Sequence, residues 1–112
     1  MTRLQELIEA AEAGNQSARH LLANVYSNGA DADEMGEDVE KDVNKAVYWL
    51  EKAAADGYEM AMLTLGSFYM STYYGIYDLE KSQYWYSLAK ANGSPYADRF
   101  LKKIESMKEE KK

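Results

Sequence analysis

The chain has 112 residues and no cysteine, with 13 basic and 19 acidic side chains and a formal net charge of −6. Its length suits one domain, and its hydrophobic content of 46% predicts a folded chain. The absence of cysteine excludes disulfides, thiolate metal sites and a cysteine nucleophile. Because no apolar run approaches the roughly 20 residues of a membrane helix, and the first residues do not resemble a secretory signal, we expect a cytoplasmic protein.

Apolar residues at helical spacing predict six helices and no strand. Thr2 and Gln5 form a capping-box pattern, and Asp42 and Asp78 suit the N-cap position, where a carboxylate accepts from free backbone N–H groups. The pair Ser94-Pro95 predicts the start of the last helix. Three glycines are suited to helix ends: Gly14, Gly57 and Gly93. The predicted helices cover approximately residues 2–13, 15–28, 42–56, 58–72, 78–92 and 94–110.

The predicted helices recur as an internal repeat. An Ala-x3-Gly-x3-Ala pattern begins at positions 10, 53 and 89, so its offsets are 43 and 36 residues. The extra seven residues of the longer offset lie between Tyr26 and Asp42. Trp49 and Trp85 are 36 residues apart, and we expect them to be buried in equivalent places. Gly66, in the middle of a predicted helix, suggests the close approach of a ring such as one of these tryptophans.

The extra residues are strongly acidic: positions 31–42 hold seven acidic side chains and one lysine, while the rest of the chain is balanced in charge. We predict a single domain over 1–112, with an acidic loop insertion at 29–41 and a charged C-terminal tail at 108–112. The acidic loop is interpreted either as a docking patch for a basic partner or as a solvated loop without a partner. A calcium loop is a weaker alternative, because Met35 stands where an EF-hand needs an oxygen ligand.

The repeated residues resemble the Sel-one-like repeat family, a relative of the tetratricopeptide repeats. The resemblance rests on the pattern Lys45-Ala46-x2-Trp49-x2-Lys52-Ala53-Ala54-x2-Gly57-x3-Ala61 and on Leu65, Gly66 and Tyr69. Ala23 and Leu50 depart from it, standing where the family has glycine and tyrosine. The resemblance implies a short right-handed α-solenoid of about six antiparallel helices, arranged as two full repeats and two half-units. It also implies an adaptor whose first helices line a concave, partner-binding face.

Candidate partner-binding residues come from the acidic loop, from the first helices and from a tyrosine cluster. Exposed tyrosines give large contact areas at low entropy cost, although the cluster could equally cover helix ends. Tyr48 and Tyr84 are expected to pack between repeats. The candidates are Asp31, Asp33, Glu34, Glu37, Asp38, Arg19, Ser67, Met70, Tyr73, Tyr74 and Tyr77.

No pattern in the sequence indicates catalysis, metal binding or phosphate binding. His20 is the sole histidine, so no zinc ligand set or catalytic pair can be formed around it, and no phosphate-binding glycine loop occurs. We expect no cofactor and no metal. Binding to nucleic acid is not expected because the acidic loop would repel phosphates, and binding to a membrane is not expected because no long apolar run occurs. The predicted function is non-enzymatic binding of another protein or peptide with a basic surface, by a monomer. The alternative is a small cytoplasmic immunity protein that neutralises a basic toxin such as a nuclease.

Overall fold

The computed structural model describes residues 1–110, and the regular secondary structure in that range is α-helical, without a strand. Its helices are α1 (Arg3–Glu12), α2 (Gln16–Asn28), α3 (Ala32–Met35), α4 (Val43–Ala55), α5 (Glu59–Met70), α6 (Leu79–Ala91) and α7 (Ala97–Glu110). Six of them correspond to the six predicted helices, and the short α3 lies inside the acidic loop. The predicted all-α fold is therefore confirmed. Residues 111–112 of the predicted tail lie outside the described residues, and 108–110 belong to α7.

The predicted helix limits follow from local capping. Thr2 and Gln5 form a complete capping box at α1, while Asp42 and Asp78 accept hydrogen bonds from the N–H groups three residues later. Gly57 and Gly93 follow α4 and α6 with φ of 87° and 92°, a conformation that favours glycine. These features are local in sequence, and this is why they could be predicted.

The start of α7 was predicted too early. Ser94 does not cap a helix that begins at Pro95, because α7 begins at Ala97. Instead, the Ser94 hydroxyl accepts a hydrogen bond from the backbone N–H of Tyr96, at 3.2 Å. This contact closes a tight turn between α6 and α7.

The chain divides into two compact units, Met1–Asp56 and a second unit that begins at Gly57. In the first unit, α2 packs against both α1 and α4, and α3 contacts α1. The fully buried side chains that fill this unit are Ala11, Leu22, Ala23, Ala46, Leu50 and Ala53. In the second unit, α6 packs against both α5 and α7, around Leu65, Tyr86, Ala89 and Ile104. Each unit is therefore built from antiparallel helix pairs that share one central helix.

The repeat predicted from sequence recurs in the hydrogen bonds of both units. The N–H of Asp42 donates to the carbonyl of Tyr26 at 2.7 Å, and the N–H of Asp78 donates to that of Tyr69 at 2.7 Å. In addition, the ammonium groups of Lys45 and Lys81 lie 5.3 and 5.4 Å from the ring centroids of the same two tyrosines. The equivalent residues thus make equivalent contacts in each unit.

The two tryptophans are only partly equivalent. Each makes an edge contact with the tyrosine before it, at centroid distances of 5.1 Å for Tyr48–Trp49 and 5.0 Å for Tyr84–Trp85. Trp49 is buried, however, whereas Trp85 is only half-buried. Tyr48 and Tyr84 are exposed, so the expectation that they are packed away between repeats was wrong.

Candidate functional site

The acidic loop, residues 29–41, has a defined internal structure. The carboxylate of Asp31 accepts from the N–H of Glu34 at 3.1 Å and caps α3, and that of Asp38 accepts from the N–H of Ala32 at 3.0 Å. Ala30 and Val39 exchange two backbone hydrogen bonds, of 2.9 and 2.7 Å. Two of the candidate acids, Asp31 and Asp38, therefore hold the loop in shape as well as contributing charge.

The loop is anchored to the body of the first unit. Met35 and Val39 are buried, which removes apolar surface from water. The hydroxyl of Thr2 donates to Glu37 Oε2 at 2.9 Å, joining the loop to the start of α1. The loop is therefore an ordered part of its unit, although its composition would also suit a mobile segment.

The remaining carboxylates of the loop face solvent. Asp33, Glu34 and Glu40 have exposed side chains. The hydrogen-bonded backbone beneath them fixes where each of these side chains leaves the loop. A cavity of about 350 Å³ lies beside them, lined by Leu4, Tyr26, Glu37, Asp38, Val39, Glu40, Lys41, Asp42 and Lys45.

Arg19 does not occupy the exposed position predicted for it. Its side chain is 9% exposed, its Nε donates to the Ala11 carbonyl at 3.0 Å, and its Nη1 donates to Asp56 Oδ2 at 2.7 Å. Ala11 lies near the end of α1 and Asp56 follows α4, so the guanidinium joins the C-terminal ends of two helices. A cation is favourable there because carbonyl groups and the helix dipole make these ends negative. The prediction that Arg19 lies off the core was therefore wrong.

The candidates in the second unit differ in exposure. Ser67 is exposed and Met70 is half-buried, where its sulfur accepts a hydrogen bond from the Tyr86 hydroxyl at 3.6 Å. Tyr73 is 66% exposed and contacts the edge of Tyr74, whose own ring stacks on Phe68 at 4.3 Å between centroids. Tyr77 is half-buried. The tyrosine cluster thus divides into the exposed Tyr73, Tyr74 stacked on Phe68 of α5, and the half-buried Tyr77.

Two other kinds of site are absent from residues 1–110. No group of three or more histidine, cysteine or acidic side chains in this range is arranged to hold a metal ion. Within the same range, no helix combines the length and apolar character needed to cross a membrane.

Two residues of the site environment could not be identified from the sequence. Thr2 was predicted only as a helix cap, but it also contacts the acidic loop. No sequence pattern marked Asp56 as a functional or structural residue, yet its carboxylate forms an ion pair with Arg19. Both contacts join residues far apart in the chain, so no local pattern could reveal them.

Comparison with known proteins identifies the family. The Sel1 repeat model matches residues 16–58 and 60–94. A crystal structure of a Sel1 repeat protein from Oxalobacter formigenes is similar, with 31% sequence identity, a TM-score of 0.66, and coverage of 88% of this chain and 68% of that one. No curated protein matches the chain.

A second similar structure is c5321, a protective antigen present in uropathogenic Escherichia coli strains that displays an SLR fold. It has 31% identity and a TM-score of 0.71, over 88% of this chain and 20% of that one. The chain therefore belongs to the Sel1 repeat family, which confirms the predicted resemblance and the solenoid class of fold. Proteins of this family are generally protein-interaction modules and are typically non-catalytic.

Proposed function

We propose that this chain binds a protein or peptide with a basic surface, and that the acidic loop selects it. The observation that carries the proposal is the ordered presentation of Asp33, Glu34 and Glu40 on a loop anchored by Met35 and Val39. Charges held in place lose less conformational freedom on binding than charges on a mobile segment. They also attract an oppositely charged partner from a distance and raise the association rate.

The loop offers a basic partner both charge and shape. Four acidic residues line the cavity of about 350 Å³ against two lysines, and Leu4, Tyr26 and Val39 contribute apolar surface. The aliphatic stem of a lysine or arginine can contact such apolar surface while its charged end meets the carboxylates.

The exposed residues of the second unit are proposed as additional contacts. Tyr73 and Ser67 are exposed, and Tyr73 offers an aromatic surface of the kind common in protein interfaces. Met70, Tyr74 and Tyr77 are partly covered and would support that surface. The concave face formed by successive first helices stays a prediction.

The test replaces exposed carboxylates of the acidic loop with neutral amides of the same shape, so that the fold is kept. A variant with Asp33→Asn, Glu34→Gln and Glu40→Gln removes three exposed carboxylates and keeps the acids that make hydrogen bonds within the loop. Binding of an oligolysine peptide, measured by fluorescence anisotropy, should weaken by about tenfold or more at low salt, since neutralised contacts each contribute a fraction of a kcal/mol to 1 kcal/mol. Wild-type binding should also weaken as salt is added.

The matched control removes three exposed acids elsewhere, with Glu9→Gln, Glu51→Gln and Glu105→Gln. These positions are exposed as well, so the net charge changes equally. If both triple variants weaken oligolysine binding to the same extent, overall charge explains binding and the proposed role of the loop is wrong. Deletion of residues 31–40 is a poorer test, because it also removes the buried Met35 and Val39.

A further inference from the structure

Thr2 takes part in two structures at once. As the N-cap of α1, its side-chain oxygen accepts from the N–H of Gln5 at 3.2 Å. The same hydroxyl donates its proton to Glu37 Oε2 at 2.9 Å, across 35 positions of sequence. Because a hydroxyl has one donor and two acceptor sites, it can make both bonds together.

The packing around Thr2 is tight. Gly36 adopts φ of +81° at the end of α3, and a Cβ atom built there would lie 2.9 Å from Cβ of Thr2. The backbone of the acidic loop therefore approaches Thr2 as closely as only glycine permits. The polar contact to Glu37 and the packing against Gly36 fall on consecutive loop residues.

We propose that Thr2 is a positioning residue, a latch that holds the acidic loop against the start of α1. Its hydrogen bond to a carboxylate is of the stronger, charge-assisted class. Releasing it would free residues 36–38 and weaken the backbone pairing of Ala30 with Val39. Since Leu4 of α1 and residues 37–41 of the loop line the same cavity, the latch also sets the shape of that cavity.

The two roles of Thr2 can be separated by substitution. Thr2→Asp keeps the helix cap, because aspartate is among the best N-cap residues and its charge suits a helix N-terminus. A carboxylate at position 2 cannot donate to Glu37, however, and repels it. Thr2→Ser keeps both bonds. Gln5→Glu adds the same charge in the same turn and preserves a capping box, so it controls for charge alone.

Amide hydrogen exchange of the whole chain measures the latch directly. In Thr2→Asp we expect the amides of Ala30 and Val39 to exchange about tenfold faster, which corresponds to loss of one charge-assisted hydrogen bond, while the amides of α1 keep their rates. Thr2→Ser and Gln5→Glu should match the wild type. The latch is refuted if Thr2→Asp leaves the loop amides unchanged, if α1 is accelerated equally, or if Gln5→Glu has the same effect.

A second measurement links the latch to binding, and this part alone depends on the proposed function. Thr2→Asp and Gln5→Glu have the same net charge, so oligolysine should bind Thr2→Asp several-fold more weakly because its carboxylates are no longer held in place. Equal affinity would show that loop order does not contribute to binding. If oligolysine binds none of the proteins, including the wild type, the proposed function fails, whereas the exchange rates still decide whether the latch exists.

Discussion

Gly66 and the ring of Tyr86 are in such close contact that no larger residue fits at position 66. A Cβ atom built on Gly66 would lie 2.6 Å from Cε2 of Tyr86. The ring itself is buried and stacks on Phe100 with 4.8 Å between centroids, so it has little room to retreat. The ring that explains Gly66 is thus that of Tyr86, and the expectation of a tryptophan there was wrong.

The first unit has different residues at the two equivalent positions. By the repeat offsets, Ala23 is the residue of the first unit equivalent to Gly66, and Leu50 is the residue equivalent to Tyr86. Both Ala23 and Leu50 are fully buried. The first unit thus has the larger residue at the glycine position and the smaller residue at the tyrosine position, compared with the second unit. Such an exchange is expected because a close-packed interior conserves total volume. The two departures from the family pattern have a common physical explanation.

Gly66→Ala should destabilise the protein by about 1–3 kcal/mol, the range for overpacking a core, even though alanine is the better helix former. Combining it with Tyr86→Leu, which reproduces the pair of the first unit, should cost less than the sum of the two single changes. Chemical denaturation of the four proteins forms a double-mutant cycle that measures this coupling. Strictly additive free energies of unfolding would disprove the steric explanation.

Arg19→Met should lower the free energy of unfolding by about 2 kcal/mol, because the charge-assisted hydrogen bonds to Ala11 and Asp56 are lost while most of the side-chain volume is kept. Arg99→Met is the control, since Arg99 is exposed and its cation–π contact with Phe100 contributes only about 0.5–1 kcal/mol. Urea denaturation monitored by circular dichroism compares the two. Equal stability of the two variants would contradict the structural role given to Arg19.

Asp42→Ala and Asp78→Ala should each cost about 1 kcal/mol, because each removes the side chain that accepts from the first turn of its helix. Similar losses are expected, since the two caps are equivalent in the repeat. Asp42→Ser and Asp78→Ser retain a capping oxygen and should recover most of the stability in thermal denaturation. A failure of serine to restore stability would indicate that the carboxylate acts through charge and not as a cap.

The stability of the chain should depend on the protonation of His20. Burial lowers the pKa of His20 below its usual value of 6.5, because the charged form loses hydration. In the unfolded chain the histidine gains its proton at a higher pH, so unfolding takes up protons and stability falls as the pH drops below about 6.5. His20→Gln should reduce this loss between about pH 7 and pH 5, measured by urea denaturation at each pH. An unchanged pH profile in His20→Gln would exclude this histidine as the cause.

Much of the helical framework was predictable because its signals are local. The capping residues Thr2, Asp42 and Asp78 each bind a backbone group three positions away, and a stretch of a few residues is enough to recognise them. The start of α7 was misplaced for the same reason, as Ser94 and Pro95 can open either a helix or the turn observed here. The exposed residues of the candidate site were harder to predict from the sequence, because the exposure of a side chain depends on which distant residues pack around it.

Six of the seven helices within residues 1–110, the repeat of 36 residues with its acidic insertion, and the family could be predicted from the amino-acid sequence alone. Such predictions depend on helical periodicity, on capping residues and on glycines at helix ends, and each of these signals is contained in a short stretch of sequence. The burial of Arg19 against Asp56 and the attachment of the acidic loop to Thr2, by contrast, depend on tertiary packing. Those contacts join residues 37 and 35 positions apart, and they form only once packed helices bring distant segments together.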